Sequence, residues 1–177
     1  MTSVLKVDNI QNSSGTSALG IDSNGVVTRP VVPAWRVIGF NETGLGTGTH
    51  NVRWQSATGT VSSSNSFLLG GVTQADEASG TYKDIIVPVQ GLYQINVNMR
   101  VDNVGTGYIS LNITHNGSTI NDVNTIEGSP ASNYQTLQAS VLYYLNANDK
   151  IEVMLNPSAD TSWDIDGTND FSGFLVG

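Results

Sequence analysis

Residues 93 to 101 constrain the fold more than any other stretch. Tyr93, Ile95, Val97, Met99 and Val101 alternate strictly with Gln94, Asn96, Asn98 and Arg100. A period of two places the apolar set on one side of an extended chain and the polar set on the other. That is a strand buried on one face, and it needs a sheet beside it and a second layer over its apolar side. The pattern returns in Ile109, Leu111 and Ile113 against Ser110, Asn112 and Thr114, and again in 150–155. No segment shows a helical period.

Composition agrees. Ala, Glu and Lys together number 16 of 177 residues, while Ser (19), Thr (17), Asn (18) and Gly (19) supply the polarity. Few strong helix formers and many turn formers predict an all-β protein, as a sandwich or jelly roll. A chain of this length buries about 70% of its unfolded surface, enough for one real core. With 15 acidic and 7 basic residues the net charge is −8, which repels phosphate and argues against nucleic-acid binding. No apolar run is long enough to span a membrane. The start is not a secretory signal. There is no cysteine, so thiolate chemistry and cysteine-ligated metals are excluded.

Two regions follow from the punctuation. Residues 1–33 read as an extended arm with short strands near 4–10, 18–22 and 26–28, an Asn24-Gly25 turn, and Pro30 and Pro33 as a linker. The arm is too poor in apolar residues to bury a core alone, so it must pack on a partner or on copies of itself. Residues 34–177 read as a head of roughly eight strands. Asn116-Gly117 closes a hairpin, and Asn146 to Asp149 turns the chain between 135–145 and 150–155. The first of these two strands is apolar on both sides: Val141, Tyr143 and Leu145 on one, Leu142 and Tyr144 on the other. It needs two dry neighbours. One is the opposing sheet, and the second is open to another subunit.

The inventory for catalysis is thin. His50 and His115 read as exposed loop residues, and no Gly-x-Ser-x-Gly elbow exists. The four glutamates, Glu42, Glu77, Glu127 and Glu152, fall in loops or on polar strand faces, which does not suggest a paired-carboxylate cleft. The expectation is a protein that is not an enzyme and has no cofactor. One metal option is open: Asp160, Asp164, Asp166 and Asp170 crowd one loop, and calcium prefers such oxygen donors, although the EF-hand register fails. Trp163 lies in that loop, where an exposed indole beside carboxylates would suit sugar stacking. Trp35 and Trp54 sit in strand-like runs and read as core or interface packing.

Four segments resemble one family. Tyr82 to Ile95 contains Val87-Pro88, a turn, and Gly91-Leu92-Tyr93-Gln94-Ile95. Asn112 to Gly117 holds an Asn-Gly hairpin. Leu142 to Leu155 contains Asn148-Asp149 before Lys150-Ile151-Glu152-Val153-Met154-Leu155. The chain ends in Asp170-Phe171-Ser172-Gly173-Phe174-Leu175-Val176. In this order they resemble the complement globular-head family, over about residues 34–177. The resemblance implies a jelly roll of the tumour-necrosis-factor type that assembles as a homotrimer. Leu142, Tyr143, Tyr144, Phe171 and Phe174 then become core or trimer-interface residues. The family's Gly-x-y stalk is absent, and its Gly-Asp turn is replaced by Asn148-Asp149, so the vertebrate complement function is not implied.

The arm carries a looser resemblance. Ser3 to Ile10, with Ser17 to Val27, looks like segments at the virion-attached end of bacteriophage fibre proteins. This implies anchoring to capsid or tail proteins through Val4, Leu5, Val7, Ile10, Leu19 and Ile21. The resulting expectation is a bacteriophage virion structural protein on the particle surface, made in the host cytoplasm. It would be a tail fibre, head fibre or capsid decoration protein, with the head serving host attachment through a surface glycan, or capsid stabilisation. The alternative is a secreted bacterial carbohydrate- or ligand-binding module of the complement-like type.

Overall fold

The computed structural model describes the chain apart from residues 1–6, 12, 15–16, 29–30, 58–64, 79–80, 105–106, 128–133 and 159–161; side chains of 17–18, 28, 76–78 and 121–127 are also not described. The chain divides into two compact units, Met1–Val32 and Pro33–Gly177. All regular structure among the described residues is strand.

The first unit is a small antiparallel sheet of β1 (Asn9–Gln11), β2 (Ser17–Ile21) and β3 (Val27–Thr28), in that order. The Asp22 carboxylate builds the second turn by accepting the N–H groups of Asn24 at 2.9 Å and Val26 at 2.8 Å. Gly25 takes a positive φ of 80° there. The described residues fold back at the expected Asn24-Gly25 turn, because an Asx turn and a glycine close the loop locally. Ile10, Ile21, Val26, Val27, Val31 and Val32 are exposed.

Among the described residues the second unit contains thirteen strands: β4 (Ala34–Ile38), β5 (Glu42–Leu45), β6 (His50–Asn51), β7 (Phe67–Leu69), β8 (Thr73–Ala78), β9 (Thr81–Ile86), β10 (Gly91–Asp102), β11 (Tyr108–His115), β12 (Ser118–Glu127), β13 (Gln135–Leu145), β14 (Lys150–Pro157), β15 (Trp163–Ile165) and β16 (Asp170–Leu175). One sheet runs β5-β15-β10-β16-β4-β7, with β13 on the free edge of β10. The other runs β12-β11-β14-β9-β8, with β6 also on β14. All pairings are antiparallel. The two sheets share a single core, the arrangement of a β-sandwich.

Alternation explains the core. Tyr93, Ile95, Val97, Met99 and Val101 of β10 are all buried, as their spacing requires. Ile109, Leu111 and Ile113 of β11 meet them from the other sheet together with Ile151, Val153 and Leu155 of β14. Four rings knit one end: Trp35 lies 6.1 Å from Tyr93 and 5.6 Å from Phe171, and Trp54 lies 5.4 Å from Phe171. The expectation of core tryptophans at 35 and 54 holds. The Asn116-Gly117 hairpin also holds. Both residues have positive φ, 50° and 79°, which is the two-residue turn that matches strand twist.

The strand count exceeds the eight expected. β5, β7, β8 and β15 are short or carry no apolar alternation long enough to register in the sequence. Tertiary pairing makes them strands: β5 and β15 pair with each other and β15 with β10, β7 pairs with β4, and β8 with β9.

Candidate functional site

The outer side of the β13-β10-β16 sheet is the candidate site, and its composition follows from register. Gly91 to Val101 pairs with Leu145 to Gln135 along one edge of β10, and Tyr93 to Asn98 pairs with Leu175 to Asp170 along the other. Side chains at opposed positions share a face. Four rows result. Tyr144 lies beside Leu92; Gln94 lies between Leu142 and Phe174, Asn96 between Ser140 and Ser172, and Asn98 between Gln138 and Asp170.

The first two rows form an apolar end. Leu142 is 53% exposed, Tyr144 55%, and Phe174 47%. On the opposite side of the same strand Leu137, Ala139 and Leu145 are buried, and Val141 and Tyr143 pack against the core. The sequence required two dry neighbours for β13, and the single chain supplies one. Phe171 is fully buried in the core, while Phe174, three residues on, points to the outer side.

The last two rows form an amide end. Gln94 Nε2 donates to Ser140 Oγ at 2.9 Å, Ser140 Oγ donates to Asn96 Oδ1 at 2.9 Å, and Gln138 Nε2 donates to Asn98 Oδ1 at 3.2 Å. Asn96, Asn98, Gln138 and Ser140, with Val97, Ala139 and Asp170, line an open groove of about 330 Å³. Arg36, opposite Ser172 on β4, approaches Asp170 at 3.9 Å. Sequence reasoning had dismissed Gln94, Asn96 and Asn98 as a wet strand face. The available signal was chemical: these positions carry amides, where an ordinary solvated face carries charges.

The aspartate loop does not assemble as a calcium site among the described residues. Asp160 lies outside them. Asp164 Oδ1 accepts the Gly44 N–H at 2.7 Å and Oδ2 accepts Asn103 Nδ2 at 2.6 Å. Asp166 binds Arg100 at 2.5 Å and caps the Thr168 N–H at 3.0 Å. Asp170 turns to Arg36. No three His, Cys, Asp or Glu side chains converge to hold a metal among the described residues. The hydrogen bond from Arg100 holds the Asp166 carboxyl below the usual carboxylate range. Asp102 moves the other way, through burial first and then the charges of Asp164 and Asp166.

Trp163 corrects the sugar-stacking expectation. It is fully buried, its Nε1 donates to the Gly46 carbonyl at 3.1 Å, and His50 meets it edge-on at 5.9 Å. An indole with no free face cannot stack on a ligand. Trp163 and Ile165 flank Asp164 at a spacing of two, so the inward-facing strand was readable despite its acidic surroundings.

Both histidines are also corrected, from exposed loop residues to half-buried residues at strand ends. His50 starts β6 with Nε2 3.3 Å from Glu42. His115 ends β11 with Nε2 2.8 Å from Asp149 and Nδ1 3.5 Å from the Tyr143 hydroxyl. Asn116 joins this group by donating to Asp149 at 2.9 Å and accepting the Lys150 N–H at 2.9 Å. The group clamps two neighbouring turns together.

Of the expected anchoring residues in the first unit, Val4 and Leu5 lie outside the described residues. Ile10 and Ile21 are exposed, and Val7 and Leu19 are half-buried. No helix among the described residues is long and apolar enough to cross a membrane. No protein-family model matches this chain, and no curated protein matches it.

Proposed function

We propose that this protein is a non-enzymatic structural component of a bacteriophage particle. Its second unit is a jelly-roll head of the complement type that associates as a homotrimer. Its first unit attaches to other virion proteins of capsid or tail. The head then stands on the particle surface, as a short fibre that adsorbs to the host or as a decoration that stabilises the capsid.

One observation carries the reading: Leu142, Tyr144 and Phe174 are exposed on one ordered sheet face, Leu142 and Phe174 on either side of Gln94, while the opposite side packs against the core. Clustered apolar side chains of this kind mark association surfaces. The apolar residues left uncovered on the small sheet of the first unit support attachment in the same way. The four-segment resemblance supports the number three.

The test is the solution mass of the full chain by light scattering after size exclusion. The expected mass is three times the 18.7 kDa of one chain. Leu142→Ser with Tyr144→Ser should return it to one chain with the strand signature of the fold retained. A wild-type monomer at micromolar concentration overturns the trimer. A chain lacking residues 1–32 that still binds particles overturns the attachment role.

A further inference from the structure

We infer that the amide end of the β13-β10-β16 face is buried between copies of this chain, where it forms a hydrogen-bonded polar layer that sets the register of the association. The inference rests on the trimer reading above and assigns a role to the half of the face that the apolar contact does not use.

The occupant is a second copy, on grounds of charge and hydrogen bonding. Copies with a net charge of −8 repel one another over most of their surface. In the four rows of this face the charged groups are Asp170 and, next to it, Arg36, which oppose each other at 3.9 Å. The face is thus close to neutral, and copies can meet there without a like-charge penalty. An amide carries both donors and an acceptor, so a layer of amides is complementary to itself. Within one chain the Oδ1 atoms of Asn96 and Asn98 accept bonds from Ser140 and Gln138, while the Nδ2 groups of Asn96 and Asn98 and Gln94 Oε1 have no partner among the described residues. Two amide nitrogens and one amide oxygen are therefore left to bond across an interface. The amide rows are also continuous with the apolar rows on the same three strands. A partner covering Leu142 and Phe174 extends over Asn96 with no change of surface.

The physical role follows. Apolar contact is non-directional and supplies most of the association energy. Polar groups that must be satisfied on burial penalise every register in which they are not. A single buried polar layer can thereby fix register and copy number at some cost in affinity.

Asn96→Asp tests this with little change of shape. The new carboxylate still accepts the Ser140 hydroxyl, so the isolated head keeps its contacts, while copies meeting at this layer bring like charges together away from water. The expected result is a fall in native mass from three chains to one at neutral pH, with circular dichroism unchanged. A wild-type trimer whose Asn96→Asp form is also a trimer overturns this inference and leaves the trimer standing. A wild-type monomer overturns both. If Asn96→Asp does not fold, Asn96→Cys gives the answer, because the chain has no other cysteine. A short bis-maleimide should then link copies within the trimer, and a trimer that stays unlinked overturns the inference. Direct binding of a host polysaccharide to the assembled wild type, lost on Asn96→Asp while the mass stays at three chains, would assign the groove to a glycan instead and overturn it equally.

Discussion

Gly173 has no side chain because Trp35 fills the space where one would stand. The two are cross-strand partners on β16 and β4, and a Cβ at 173 would collide with the indole Cζ2 and Cη2 atoms. It would also come within 2.9 Å of the Gln94 carbonyl oxygen. Trp35 cannot retreat, since Tyr93 and Phe171 pack against it. Gly173→Ala should therefore cost about 1–3 kcal/mol through overpacking, read as a lower denaturant midpoint with an unchanged m-value. An unchanged midpoint would show that the indole moves freely.

The three tryptophans, at 35, 54 and 163, are at most 1% exposed. Native fluorescence should be blue-shifted and resistant to iodide, and both properties should be lost together on unfolding. Trp163→Ala should cost about 3–5 kcal/mol, as deletion of a buried indole does. Substantial iodide quenching of the native protein would return Trp163 to the surface.

Asp166 and Glu152 should give opposite pH dependences. Arg100 depresses the folded-state pKa of Asp166, so its contribution is present above the unfolded carboxylate value and is lost as pH falls through the folded one. Burial, followed by the neighbouring Asp84 carboxyl, raises Glu152, so its contribution is full below the unfolded value and is lost as pH rises through the folded one. Asp166→Asn should lower the melting temperature at neutral pH, and Glu152→Gln should raise it. Both differences should shrink in acid, where the carboxyls are protonated in either state. Parallel melting curves for both variants across the acid range would contradict the assignment.

Asn116 serves its turn in two ways that substitution can separate. Its positive φ suits Asn or Gly, and its side chain bonds to Asp149 and the Lys150 N–H. Asn116→Gly keeps the backbone and loses the bonds, whereas Asn116→Ala loses both. Thermal stability should fall in the order wild type, Gly, Ala, with the last step about 1 kcal/mol. Equal loss in both variants would leave the backbone geometry without an energetic role.

Local patterns made parts of this protein readable in advance. The inner faces of β10, β11 and β14 were legible because strict alternation admits one burial pattern. The Asn116-Gly117 turn was legible because few residues adopt its backbone. The strand over 135–145 was legible from its apolar residues, and its outer ones, Leu142 and Tyr144, stand exposed in the single chain. Short strands were missed where two to six residues owe their conformation to a partner distant in sequence, as β5 owes its own to β15. Acidic neighbours hid the burial of Trp163, because composition averages over a loop while β15 turns individual residues inward.

By itself the sequence determined an all-β sandwich, its principal buried faces and its division near Pro33, since these depend on period, turn chemistry and composition, which are local. Tertiary structure alone decided which side chains stand beside one another. Register set Asn96 next to Ser140, placed Leu142 across Gln94 from Phe174, and dispersed the aspartates onto Arg100, Asn103 and Arg36. A one-residue slip in any of these strands would exchange its inner and outer faces, and register is settled by the packing of both sheets at once, which no single stretch of chain encodes.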